Sequence, residues 1–93
     1  MSKVKHPGVI LAEKVKEQGI SQTQFAIALG IAQSRINKIL MGERGISPDT
    51  AIRLGKYFGT EAQYWLALQA DYDIAELAKS GKKAKIENMV RVL

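Results

Sequence analysis

The sequence predicts an all-α fold: five short helices packed into one compact domain over residues 1–79, then a basic arm over residues 80–93 that is either a short helix or extended. Three observations predict it. The only two prolines, Pro7 and Pro48, both sit outside the periodic apolar runs. No stretch alternates apolar and polar residues long enough to read as a half-buried strand. Helix start and stop signals, by contrast, are closely spaced along the whole chain.

The first helix is expected over residues 8–18, where Val9, Ile10, Leu11 and Val15 follow Pro7-Gly8 and Gly19 supplies a stop. Ser21-Gln22-Thr23-Gln24 has the form of a capping box, with Ser21 as cap and Gln24 reaching back. Phe25, Ala26 and Leu29 then recur at helical spacing, and Gly30 closes this second helix. Ile31-Ala32 forms a tight turn, and Gln33–Met41 forms a third helix with Ile36, Ile39 and Leu40 on one face and Gly42 after its end. Ser47-Pro48-Asp49 opens the fourth: a side-chain cap, a preset φ and a carboxylate at the positive end of the helix dipole. Ile52, Leu54, Tyr57 and Phe58 carry it to Gly59. Thr60-Glu61-Ala62-Gln63 reads as a second capping box, and the helix it opens extends to Lys79, with Gly81 as a stop. In the arm, Ile86, Met89, Val90 and Leu93 repeat at i, i+3, i+4 and i+7, the pattern of a sixth helix or of a tail that orders on docking.

Composition narrows the function. Apolar residues make up 46% of the 93 residues and charged residues 25%, ordinary for a globular domain and unlike a disordered or collagenous chain. The absence of cysteine removes disulfide scaffolds, thiolate zinc sites and cysteine nucleophiles together. His6 is the only histidine, so neither a metal site nor a Ser/His/acid triad is expected, and His6 itself reads as a plain N-terminal residue without assigned chemistry. No apolar run approaches the ~18 residues of a membrane helix, and Met1–Gly8 lacks the pattern of a signal peptide; no membrane association and a cytoplasmic location are expected. Gly42–Gly45 is too short, and follows a helix rather than a strand, to be a phosphate loop. No enzyme activity and no cofactor are therefore expected. A domain this small buries only about 60–68% of its unfolded surface and commonly gains stability by pairing.

The net charge of +5 suits an anionic partner but does not identify one. Its distribution says more. Residues 31–59 hold Arg35, Lys38, Arg44, Arg53 and Lys56 against Glu43 and Asp49. Residues 60–77 hold Glu61, Asp71, Asp73 and Glu76 with no Lys or Arg, a segment of charge −4. Residues 78–93 return to +4, with Lys79, Lys82, Lys83, Lys85 and Arg91 against Glu87. Such blocks are either solvated helix faces or two surfaces meant for two kinds of partner.

The second and third helices, joined by a short turn at Gly30, form the informative unit. A helix of about eight residues, a turn with Gly and a second helix with an exposed polar face is the helix-turn-helix arrangement. Phe25, Ala26, Leu29, Ile31, Ile36 and Ile39 would fix the pair against the first and fourth helices. The opposite face of the third helix carries Gln33, Ser34, Arg35, Asn37 and Lys38, rich in donors and free of acids. Those groups match the DNA major groove, where Arg meets guanine and Gln or Asn meets adenine in bidentate fashion, and the N-terminal end of a recognition helix usually points into the groove. Gln22, in the first turn of the second helix, and Arg44, in the loop after the third, are placed to hold phosphates, which positions the protein without reading sequence. The competing reading is a structural hairpin with a solvated face; the turn, the apolar spacing and the acid-free face together favour DNA.

At these residues, from Ile20-Ser21-Gln22 through Leu29-Gly30-Ile31 to Ile36, Ile39 and Gly42, the sequence resembles the Xre or Cro-type helix-turn-helix family of phage repressors, which implies a lambda-repressor-like domain. His6-Pro7-Gly8, Arg35-Ile36-Asn37, Gly42-Glu43-Arg44-Gly45-Ile46-Ser47, Tyr57-Phe58-Gly59-Thr60 and Trp65-Leu66-Ala67-Leu68-Gln69 narrow it: over residues 6–77 the chain resembles the HigA (VapI-type) antitoxins. That resemblance implies a small homodimer that binds double-stranded operator DNA at its own promoter and neutralises a HigB-type toxin, a small basic mRNA-cleaving ribonuclease. Ala32 departs from the wider repressor pattern, which often has Ser or Thr there as cap of the recognition helix, so one phosphate contact is in question.

The fifth helix is apolar on more than one face. Trp65, Leu68, Tyr72 and Ala75 form one stripe, Leu66, Ala70, Ile74 and Leu77 another, with Tyr64 and Ala67 between. Such a helix is buried on more than one side. The first four helices cover one side. Either a second subunit or a folded-back residue 78–93 segment covers the other, and the second subunit is favoured, with Tyr64, Trp65, Leu68 and Tyr72 as interface anchors. A two-fold body also suits function, because recognition helices about 34 Å apart match one turn of B-DNA. Glu61–Glu76 either faces the basic ribonuclease or only keeps the rear of the protein away from DNA. The rival functions are a stand-alone phage-type repressor without a toxin partner, and a protein-binding module whose helix-turn-helix has lost DNA, which the third-helix residues oppose.

Overall fold

The structure, a computed structural model, describes residues 4–93. Among them the chain forms six helices and no strand: α1 (Pro7–Gln18), α2 (Gln22–Leu29), α3 (Gln33–Leu40), α4 (Pro48–Phe58), α5 (Ala62–Lys79) and α6 (Lys82–Met89). The all-α expectation and the five helices over residues 1–79 match this order, and the arm contains a helix.

The local chemistry explains most boundaries. The α2 capping box forms as expected: the Ser21 hydroxyl accepts the Gln24 N–H at 3.1 Å, and Gln24 Oε1 accepts the Ser21 N–H at 2.9 Å. Gly19, Gly30 and Gly59 end α1, α2 and α4 in the left-handed conformation, at φ of 68°, 72° and 72°, which a side chain would oppose. Ser47 caps α4 by accepting the Thr50 N–H at 3.3 Å, ahead of Pro48 and Asp49.

Two expectations need correction. His6 is not a plain terminal residue. It is buried, and its Nδ1 accepts the Gly8 N–H at 2.9 Å as the cap of α1, with its ring edge-on to Tyr72 at 4.9 Å. The Thr60–Gln63 capping box does not form. Glu61 is the cap residue of α5 without a side-chain bond, and the Thr60 hydroxyl instead accepts the indole N–H of Trp65 at 2.8 Å. A buried Trp N–H needs a partner, and Thr60 is the acceptor it finds.

One core holds α1–α5. Leu11, Val15, Phe25, Ala26, Leu29, Ile36, Ile39, Ile46, Ala51, Leu54 and Trp65 are all buried in it. An aromatic row runs through it, with Phe58 tilted against both Phe25 (6.0 Å) and Trp65 (5.5 Å). Gly8 lets α1 lie directly on α3, since a Cβ there would fall 1.9 Å from the Ile39 carbonyl oxygen. Backbone contact at that point sets where the end of α3 sits. Past α5 the character changes. Every residue from Glu76 to Leu93 is exposed, Ile86, Met89, Val90, Val92 and Leu93 among them. The molecule is correspondingly elongated, 49 × 26 × 23 Å.

Candidate nucleic-acid interface

The exposed face of α3 follows from its periodicity. At ~100° per residue, Gln33, Ser34, Asn37 and Lys38 occupy one arc of the helix, while Ile36, Ile39 and Leu40 occupy the opposite one. Ile36 and Ile39 are fully buried, and all four polar residues are exposed. The four sequence-predicted residues therefore share one surface, with no carboxylate on it.

Arg35 does not join them. Its Nη2 donates to the Thr50 hydroxyl at 2.6 Å and the Ser47 hydroxyl at 3.1 Å, and lies 3.6 Å from Asp49 Oδ1. Its Nε is buried without a partner. The helical angle carries the reason: Arg35 falls beyond the exposed arc, toward buried Ile39, and points at the start of α4. Periodicity contains that signal, which is lost when the helix is read by composition as one donor-rich face.

Gln22 is exposed in the first turn of α2, and Arg44 is exposed in the loop between α3 and α4. That loop is held from behind. Gln69 of α5 accepts the Ile46 N–H through Oε1 at 2.9 Å and donates through Nε2 to Asp73 at 2.9 Å. A Cβ at Gly45 would sit 3.1 Å from the Gln69 amide, so the loop passes close against α5. Ala32 precedes α3 without any side-chain cap bond, as its side chain dictates.

Residues outside the sequence-predicted set tie the unit together. Arg53 of α4 donates through Nη1 to the last carbonyls of α2, Leu29 at 2.8 Å and Gly30 at 3.1 Å. Its Nε donates to Asp49 Oδ1 at 2.8 Å. The Arg53 hydrogen bond, reinforced by the charges of Arg53 and Arg35, holds the Asp49 carboxyl below the usual carboxylate range. The i, i+4 spacing of Asp49 and Arg53 is legible in the sequence; the reach of Arg53 back to α2 is not.

The proposed dimer set divides. Tyr64 is 46% exposed, and Leu68 and Tyr72 are half-buried. Trp65 is 0% exposed and lies wholly inside the monomer core, so it is removed from the interface set. On α5 the exposed hydrocarbon is instead that of Ile74 and Leu77, together with Tyr64. Residues 78–93 leave these side chains uncovered. Among the described residues no helix is long and apolar enough to cross a membrane.

Known proteins share both the sequence pattern and this geometry. The helix-turn-helix family pattern matches residues 11–65. Virulence-associated protein I of Dichelobacter nodosus is 46% identical over 80 residues, 85% of this chain and 73% of that protein. The structure superposes on an addiction module antidote protein of a HigA family from Coxiella burnetii with a TM-score of 0.85 and 46% identity, covering 99% of this chain and 100% of that one. It matches the Pseudomonas aeruginosa antitoxin HigA, solved with the higBA promoter, with a TM-score of 0.84 and 42% identity over 98% of this chain and 99% of that one.

Proposed function

The chain belongs to the helix-turn-helix family, within it to the HigA (VapI-type) group, and from that premise we propose that it is an operator-binding antitoxin. It represses the operon that encodes it and neutralises a HigB-type mRNA-cleaving ribonuclease. The observation that carries the DNA half of this reading is the face of α3: four exposed hydrogen-bonding side chains, no acid, on a helix whose other side is locked into the core. In this reading Gln33 and Ser34, at the leading end of α3, and Asn37 meet base edges, and Lys38 meets a base or the adjoining phosphate. Gln22, at an α2 N-terminus with unpaired backbone N–H groups, and Arg44, on its anchored loop, hold the flanking backbone.

The protein works as a homodimer. The uncovered Tyr64, Ile74 and Leu77 on α5 support this, since a second copy buries them while leaving α3 outward on each subunit. The basic ribonuclease is the partner that the −4 segment Glu61–Glu76 fits by charge. The domain reading follows: residues 1–79 bind DNA and dimerise, and the basic arm of residues 80–93 is an appendage to them.

Co-expression with the adjacent reading frame tests the antitoxin half. A small basic protein of about 100 residues, in the size range of a single domain, is expected to co-purify with this chain and to arrest growth when expressed without it. Failure of any neighbouring product to co-purify, with operator binding intact, would leave a stand-alone repressor.

A further inference from the structure

The α3 face, the groove between α2 and α4, the buried His6 and the apolar end of α5 all carry chemistry, but one feature is built more completely than a solvated surface requires. Ser47, Asp49 and Thr50 at the start of α4 converge on Arg35 of α3. Arg53, one turn on, holds Asp49 with one nitrogen and the end of α2 with another. The result is a closed clasp from the α2 C-terminus through Arg53, Asp49 and Arg35 to α3, across the turn of the helix-turn-helix.

Resting on the operator-binding reading, we propose that Arg35 is a positioning residue for DNA recognition: clasped by Thr50, Ser47 and Asp49, it sets the angle at which α3 presents Gln33, Ser34, Asn37 and Lys38, and does not itself read a base. Burial of Ile36 and Ile39 and the close approach of Gly8 to Ile39 fix which side of α3 faces inward, and the directional hydrogen bonds of Arg35 add a second constraint at the edge of the exposed arc. A roll of α3 moves all four exposed side chains together. Thr50 is 1% exposed, so the acceptor that grips Arg35 is packed within the body of the domain.

The two roles separate in a base-substitution series. Wild-type protein and variants are titrated on the upstream operator and on duplexes carrying single base-pair changes across one half-site. Arg35→Ala is expected to lower affinity for the true operator about tenfold and to flatten discrimination at every contacted position. Thr50→Val, which keeps the shape and removes the hydroxyl, is expected to reproduce that pattern; Thr50→Ser, which keeps the hydroxyl, is expected to restore it. The double variant Arg35→Ala/Thr50→Val should be no worse than Arg35→Ala alone. Asp49→Asn alters an exposed carboxylate without touching the core, and should flatten discrimination while binding to scrambled DNA holds or rises. Loss of discrimination at a single base pair in Arg35→Ala, with Thr50→Val and Asp49→Asn discriminating as wild type, would overturn the proposal and make Arg35 a reader. Wild-type protein that discriminates no upstream duplex would overturn the operator reading itself, and this inference with it.

Discussion

The helix-turn-helix half of the molecule and its α5–α6 end are finished to different degrees. In α2–α4, apolar side chains such as Phe25, Ile36 and Leu54 are buried. The clasp of Arg35, Asp49 and Arg53 ties the three helices together. What remains outside on α3 is polar. From Ile74 onward the pattern reverses: Ile74 is 52% exposed and Met89 80%, and the Lys83–Glu87 pair at 3.1 Å is an exposed helix contact of small worth. The first region encloses its core in one chain, although Ile27 and Ile52 stay exposed, and offers unused donors on α3, which suits a hydrogen-bonding, anionic surface. The second is incomplete in one chain and offers hydrocarbon, which suits another protein surface. Small size makes the division natural, because a domain of this length cannot enclose every apolar side chain it carries.

Substitutions at α5 probe the division most forcefully. Trp65→Ala, inside the core although it lies on the apolar helix, is expected to cost ~3–5 kcal/mol, a large share of a small domain's total stability. Circular dichroism and a thermal melt would show it; a fully folded variant with only a weakened dimer would place Trp65 back in the interface. Ile74→Glu, nine residues on and exposed, is expected to do the reverse. Sedimentation should show monomer where the wild type is dimeric, with helical content retained. A wild-type protein that is already monomeric at micromolar concentration would dissolve the contrast between the two regions.

Arg44→Ala belongs to the finished half and touches only its charge. It should weaken binding to all DNA sequences alike and reduce the slope of log K against log salt by ~1 for each phosphate no longer held. An unchanged slope would remove Arg44 from the phosphate set. The smallest expected effect is at His6, at the joint between α1 and α5. Burial holds its imidazole below the usual value of 6.5, opposed by the Asp73 carboxylate. Its Nδ1 must stay unprotonated to accept the Gly8 N–H. A depressed folded-state value means that stability is fully present above 6.5 and falls as pH drops through the folded-state value. His6→Asn keeps a capping oxygen and does not titrate, so its melting temperature should vary less than the wild type's between about pH 7 and pH 5. Parallel curves for the two proteins would show that His6 does not titrate differently on folding.

The same division explains what the sequence could disclose. Helix ends fixed by local chemistry were legible: Ser21 with Gln24, Ser47 with Pro48, and glycine after α1, α2 and α4 all act within a few residues of themselves. The polar face of α3 was legible for Gln33, Ser34, Asn37 and Lys38, because periodicity alone sorts them from Ile36 and Ile39. For Arg35 the same periodicity marks only its departure from that face; its destination was not legible, since its partners Ser47 and Thr50 lie 12 and 15 residues away. The place of Trp65 is hidden for a related reason. An aromatic on a helix with two apolar faces belongs to the inner or the outer one, and only the packing of Phe58 and the acceptor on Thr60 decide. The role of His6 is equally invisible locally, because its burial depends on Tyr72 of α5, far along the chain.

The central claim is that the exposed arc of α3 reads the operator. Titration of wild type and Asn37→Ala on the chain's own upstream DNA and on a scrambled duplex tests it most directly. Asn37→Ala should lose ~1–3 kcal/mol of binding to the operator, with affinity for the scrambled duplex unchanged. Equal binding of both proteins to the operator would contradict it.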